Sequence, residues 1–316
     1  MSVKVFAIGE AMAELSAANS ETSSSLLKAG YGGDVINTLI HLNRLMGDTL
    51  EGTFVSGIGQ DIFSDGFRDL LEKEGLSLDG LVTDEARNIG LYAIKLDPDG
   101  ERSFTYWRDT SAARTMLSHE EFPSKAIAAN ADMVYFSGIT LAILSEEDRE
   151  ALFFTLEEAK SNGSKIAFDP NYRERLWENE ETAKRWIRRA YKLSHLIFTG
   201  TEDERLFEST TSEQIIETII KIHGERDIVV TDGINRVQAH VNGKNISVPT
   251  IDVVSVVDTT GAGDAFNAGF LSVYLSGGTA EDALATANQL AAYVVTIRGA
   301  IPREEEFRVN YHGRVS

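Results

Sequence analysis

Short apolar runs alternate with stretches of helical period along most of this chain, and that rhythm limits its possible folds more than any other feature. Val3 to Ile8 is a compact apolar run stopped by Gly9, which reads as a buried strand. Val35, Ile36, Leu39, Ile40 and Leu42 follow at helical spacing, with Gly47 as the stop. Met133 to Phe136, Lys165 to Phe168, His195 to Thr199 and Asp227 to Thr231 read as further strands. Helices are expected from Ser145 to about Asn162, from near Ser212, from about Gly263 and from about Thr279. Strands and helices in this order predict an α/β fold: a doubly wound, mostly parallel sheet covered by helices on both faces.

One region breaks the rhythm. Ile89 to Leu96 and Ser103 to Trp107 are β-prone and flank Asp97-Pro98-Asp99-Gly100, so a hairpin is expected there. It lies between helical units and cannot be a strand–helix–strand element. It reads as part of a small β-sheet lid, approximately 10–33 plus 86–112, inserted in a single domain spanning 1–316. The polar stretch Glu10 to Leu15 is expected to join it.

Composition removes several function classes. The 316 residues contain no cysteine, so disulfide scaffolds, thiolate metal sites and thiol nucleophiles are excluded. With 30 Lys+Arg against 49 Asp+Glu the net charge is −19, which argues against a nucleic-acid face or an anionic membrane surface as partner. The N-terminal run is too short for a signal-peptide core, and a cytoplasmic location is expected. Walker-type Gly-x-x-x-x-Gly-Lys, Gly-x-Gly-x-x-Gly and Gly-x-Ser-x-Gly runs are missing. The histidines show no zinc spacing.

The chemistry concentrates in Asp258-Thr259-Thr260-Gly261-Ala262-Gly263-Asp264-Ala265-Phe266. Gly261 and Gly263 allow close backbone approach to a ligand. Phe266, Phe270, Val273 and Tyr274 continue at helical spacing, so the glycines sit where a helix begins and its free N–H groups form an anion site. Asp264 falls in the first turn. The dipole should keep it ionised and able to take a proton from an alcohol. An anion cradle beside a carboxylate suits phosphoryl transfer to a hydroxyl.

This run resembles the C-terminal signature of the PfkB/ribokinase family of sugar kinases, and Gly32-Gly33-Asp34-Val35-Ile36-Asn37 resembles the N-terminal one. Tyr106-Trp107-Arg108-Asp109-Thr110-Ser111, Gly90-Leu91-Tyr92, Phe136-Ser137-Gly138-Ile139, Asp169-Pro170-Asn171-Tyr172-Arg173 and Arg298-Gly299-Ala300-Ile301-Pro302 are similar to the family's branch that acts on 2-keto-3-deoxygluconate. The resemblance implies Asp264 as catalytic base and the amides of Gly261, Ala262 and Gly263 as anion hole. It implies a sugar site of Gly33, Asp34, Asn37, Tyr92, Tyr106, Arg108, Ile139 and Arg173. Arginine suits an acid sugar because its planar fork grips a carboxylate in two places. For ATP it implies Asn171, Arg173, Thr231, Gly233, the 261–263 amides and Asn288. ATP and Mg2+ are the implied cofactors, with K+ as a further candidate. A homo-oligomer, a dimer through the lid or a higher assembly, is the implied state.

Three positions depart from the family pattern. Thr201-Glu202-Asp203-Glu204 replaces Asn-x-x-Glu, leaving Glu204 to order metal-bound water. Glu14 stands where many members carry Asp. Thr231-Asp232-Gly233-Ile234-Asn235-Arg236 keeps one glycine of a nucleotide-binding pair. A kinase of neutral sugars or nucleosides, and a silent sugar-binding protein, are the alternatives.

Overall fold

The computed structural model describes residues 2–17, 26–96, 102–209 and 211–312. Thirteen strands appear among them: β1 Val3–Ile8, β2 Met12–Ala17, β3 Leu27–Gly32, β4 Leu50–Ile58, β5 Leu81–Thr83, β6 Gly90–Leu96, β7 Arg102–Trp107, β8 Met133–Ser137, β9 Lys165–Asp169, β10 Leu196–Gly200, β11 Asp227–Thr231, β12 Val237–Val241 and β13 Lys244–Val248. The principal helices are α1 Asp34–Met46, α2 Ile62–Lys73, α3 Ser124–Asn130, α4 Gly138–Ile143, α5 Glu146–Ser161, α6 Glu180–Leu193, α7 Ser212–His223, α8 Ala262–Leu275 and α9 Ala280–Val294.

Nine strands form the main sheet in the order β13-β12-β11-β10-β9-β8-β1-β4-β5. The pairs from β5 to β11 are parallel; only β12 and β13 run antiparallel, at one edge. β1 explains why its sequence reads as one unbroken apolar run. Successive side chains point to opposite faces, so Val5 and Ala7 enter the core under α1, α8 and α9, while Phe6 and Ile8 enter the core under α5, α6 and α7. Several helix starts are fixed by the residues expected to cap them. Ser145 accepts from the Asp148 amide at 3.1 Å, and Thr279 from the Asp282 amide at 3.1 Å.

The second sheet has four strands in the order β3-β2-β6-β7. β6 and β7 pair antiparallel with Tyr92 opposite Tyr106, as the hairpin reading expects. The turn assigned to Asp97–Gly100 lies outside the described residues. β2 does join this sheet, leaving β1 across only Gly9, Glu10 and Ala11.

Candidate active site

The parallel strands end at one rim, the place where open α/β sheets bind ligands. There they leave a cavity of about 410 Å3. Asp169, Gly200 and Thr231 close the carboxyl ends of β9, β10 and β11, and all three line it. α1 contributes Asp34 and Asn37 from its first turns, and α8 contributes Gly263, Asp264 and Asn267. The four-stranded sheet closes the far side with Met12, Tyr92, Phe104 and Tyr106.

Asp264 is half-buried at the head of α8, and its Oδ2 accepts from Asn37 Nδ2 at 2.8 Å. Asn171, strained at φ 31, holds the facing acids together. Its Nδ2 donates to Asp34 at 2.8 Å and its backbone amide to Asp169 at 2.9 Å. Asp169 also accepts from Asn267 Nδ2 at 2.7 Å.

The expectation that the helix dipole keeps Asp264 ionised needs correction. Burial pushes its carboxyl well above the usual carboxylate range, and Asp34 and Asp169 add to the rise; Asn37 and Arg173 only partly oppose it. Asp169 is raised too, by burial and by Asp203 and Asp34. A half-charge at a helix end does not outweigh desolvation in a cavity shared with two other carboxylates.

The turn into α8 is built from glycine for two separate reasons. Gly261 has φ 76, and a Cβ there would lie 2.4 Å from Ala300 Cβ. At Gly263 a Cβ would meet nothing within 4 Å, so that residue opens onto the cavity. Of the three expected anion-hole amides, that of Ala262 donates to the Thr259 carbonyl at 3.2 Å.

Gly33, Asp34, Asn37, Tyr92, Tyr106, Ile139, Asn171, Arg173 and Thr231 all line the cavity together with the 261–264 run. Four expected residues do not. Arg108 is buried with its guanidinium paired to Glu10, whose other oxygen accepts from Ser111 Oγ at 2.5 Å. Asn288 donates to the Pro249 carbonyl at 3.1 Å. Gly233 lies in the exposed turn after β11. Glu204 is buried and accepts from Tyr191 and, at 2.9 Å, from Thr199 Oγ1; burial pushes it up to about 7. Glu14 accepts from the Tyr92 hydroxyl rather than facing the cavity.

Arg108→Ala should therefore cost about 3–5 kcal/mol, because it strands the buried Glu10 carboxylate. Chemical denaturation measures this. An unshifted midpoint together with a raised sugar KM would place Arg108 at the substrate instead.

Sequence reasoning did not single out Phe104, whose ring stacks 6.3 Å from that of Tyr106. It also passed over Asn267 and Asp203, both on the cavity wall. The signal for Phe104 was present: residues two apart on a strand share a face. Asn37 Oδ1 is buried with no hydrogen-bond partner among the described residues. Arg173 is the sole cation among the described cavity-lining residues, while Arg175 stacks 5.9 Å from the Tyr106 ring.

A carboxylate thus stands at the start of a glycine-led helix, at the carboxyl rim of a parallel sheet under a β lid. The model of the pfkB family of carbohydrate kinases matches residues 2–306. The chain belongs to that family. It is 38% identical over 315 residues to 2-dehydro-3-deoxygluconokinase of Escherichia coli K12, covering 96% of this chain and 99% of that one. It is 30% identical over 310 residues to fructokinase of Klebsiella pneumoniae, covering 95% of this chain and 96% of that one. Among solved structures, 2-dehydro-3-deoxygluconokinase from Thermotoga maritima superposes with a TM-score of 0.86 at 23% identity, over 98% of both chains. An Escherichia coli protein solved with ATP and Mg2+ superposes at 0.82 and 23% identity, over 97% of this chain and 98% of that one. These two structures share the fold.

Proposed function

We propose that this chain transfers the γ-phosphoryl group of ATP to the terminal hydroxyl of 2-keto-3-deoxygluconate or a close acid sugar. The observation that carries this is the meeting of Asp264 and the Gly261–Gly263 turn with Arg173 in one cavity. The relatives named 2-dehydro-3-deoxygluconokinase, at 34–38% identity, support the substrate class.

The sugar hydroxyl would meet Asp264 at the head of α8. A carboxylate whose burial raises its proton affinity is a stronger base toward an alcohol than an exposed one, provided it is ionised when the substrate is in place. Asn37 holds Asp264 through one amide hydrogen. The Gly263 amide, in a helix turn whose N–H groups lack intrahelical carbonyls, faces the transferring group. Tyr92 and Tyr106 cover the sugar with ring faces and shed water, and Arg173 takes the carboxylate. Because the transition state is loose, positioning and charge stabilisation supply most of the acceleration.

Among the described residues no cluster of His, Asp or Glu encloses a metal ion. The donor set instead suits Mg2+ held chiefly by phosphates and water, with Asp34 and Asp169 as the nearby carboxylates. Mg2+ so bound supplies neutralisation of phosphate charge.

ADP release with Mg-ATP tests the reading across a panel of sugars with and without a carboxylate. The acid sugar should exceed fructose and ribose by about 10²-fold or more in kcat/KM, since a site built around a charged group discriminates strongly against analogues lacking it. Equal values for fructose would replace the acid-sugar assignment with a neutral one. We also propose self-association through the lid, where Leu27 and Trp107 are 60% and 57% exposed. Light scattering reads it directly.

A further inference from the structure

We propose that His41 is a positioning residue: from the middle of α1 it holds the 298–302 segment against Gly261, and so fixes the phosphate-facing turn at the head of α8. The proposal rests on the kinase reading of that turn.

His41 stands among Val35, Ile36, Leu39, Ile40 and Leu42 on a helix whose apolar residues fill the core, and its side chain is fully buried. An imidazole is a poor choice for such a place unless its polar atoms are used. Nε2 lies 2.8 Å from the Ala300 carbonyl oxygen. A carbonyl can only accept, so Nε2 carries the hydrogen and Nδ1 is the bare nitrogen. Nδ1 has no partner among the described residues. Leucine would fill the site without that cost, which makes the bond to Ala300 the use of the histidine.

Ala300 in turn touches the catalytic turn. Its Cα lies 2.8 Å, and its Cβ 2.4 Å, from where a Cβ on Gly261 would stand, so Gly261 packs directly on Ala300 with no room for a side chain of its own. The segment is tied at two neighbouring points. The Gly299 amide donates to Asp258 Oδ2 at 2.6 Å, while Asp258 Oδ1 accepts from the Thr260 amide at 3.1 Å. Arg44, one turn beyond His41, donates to the Pro302 carbonyl at 2.7 Å. Asn37 precedes His41 by four residues and shares its helix face. One stripe of α1 therefore carries the Asp264 anchor at its start and the backing of the anion turn further along. A single rigid helix thus braces both the base and the turn beside it.

His41→Leu should lower kcat about tenfold or more, with sugar KM within about twofold, since only the transition-state turn loses its backing. His41→Gln, which presents an N–H at similar reach, should recover most of the loss. Affinity for Mg-ADP with aluminium fluoride should fall in parallel, while sugar binding without nucleotide, read by calorimetry, stays unchanged. The proposal is overturned if His41→Leu keeps kcat within twofold, or if glutamine fails to rescue, or if sugar affinity falls in step with kcat. Should His41→Leu not fold, Ala300→Val presses the same contact from the other side. It should show the same split, and unchanged turnover there is equally fatal. Absence of wild-type turnover would sink the kinase reading alone; the aluminium-fluoride affinities then decide for His41.

Discussion

Asp264→Asn is expected to lower kcat by at least ~10²-fold, the loss that follows removal of a positioned acid–base group, and at the same time to raise the melting temperature at pH 8. The first effect follows from its place at the head of α8, hydrogen-bonded to Asn37. The second follows from its surroundings. Its folded-state pKa lies above the unfolded value, so its ionisation opposes folding. Such a group's stabilising contribution is complete below the unfolded pKa and disappears as pH climbs through the folded one. Asp169 moves in the same direction, and Glu204 is pushed up to about 7. The ligand-free protein should therefore lose stability from about pH 4 upward through neutrality. Asparagine keeps the shape and can still accept from Asn37, yet carries no charge. Thermal scans at pH 5 and pH 8 should show the gap between variant and wild type widening with pH. A variant that melts lower than wild type at pH 8 would contradict the account of a strained acid cluster, and near-full kcat would remove Asp264 as base.

Gly261→Ala is expected to reduce kcat by ~10²-fold or more, because displacing the turn misplaces its oxyanion-type donors, and to destabilise the fold. An alanine at φ 76 costs ~1–2 kcal/mol from the left-handed backbone alone. Its Cβ would also press on Ala300, which cannot retreat while its carbonyl is bonded to His41. Gly263→Ala is the control. The same added methyl meets nothing within 4 Å, so the melting temperature should hold and the change should fall on ATP KM. Similar melting losses in both variants would show that the two glycines serve one purpose rather than two.

The order of strands and helices was legible because both faces of the main sheet are buried, which leaves continuous apolar runs such as Val3 to Ile8. Tyr92 and Tyr106 could be placed on the lid because a hairpin pairs segments close in sequence. α6 escaped notice, although Trp186, Ile187, Ala190 and Tyr191 mark a buried stripe at helical spacing. The edge hairpin of β12 and β13 lacks the strong apolar signal of the central strands, since much of β13 faces solvent.

The site was legible as residue types and opaque as partnerships. Arg108 reads as a free cation until the chain brings Glu10 to it from 98 positions away. Asp264 reads as an ionised first-turn acid until Asp34 and Asp169 arrive from α1 and β9. Glu204 reads as a metal-site acid until Tyr191 and Thr199 enclose it. Charge state in a cavity is set by neighbours distant in sequence, and periodicity carries no record of them.

The pairing of Glu10 with Arg108 and Ser111 has a mechanical consequence. Glu10 sits where the chain first enters the small sheet, and Arg108 and Ser111 where it leaves. The first entry and the last exit are thus riveted at one point, so the two outer ends of this stretch of chain are held to a single anchor. Because that rivet is dry, dissolved salt has little access to it, and the anchor should hold across ionic strengths that loosen the acidic exterior.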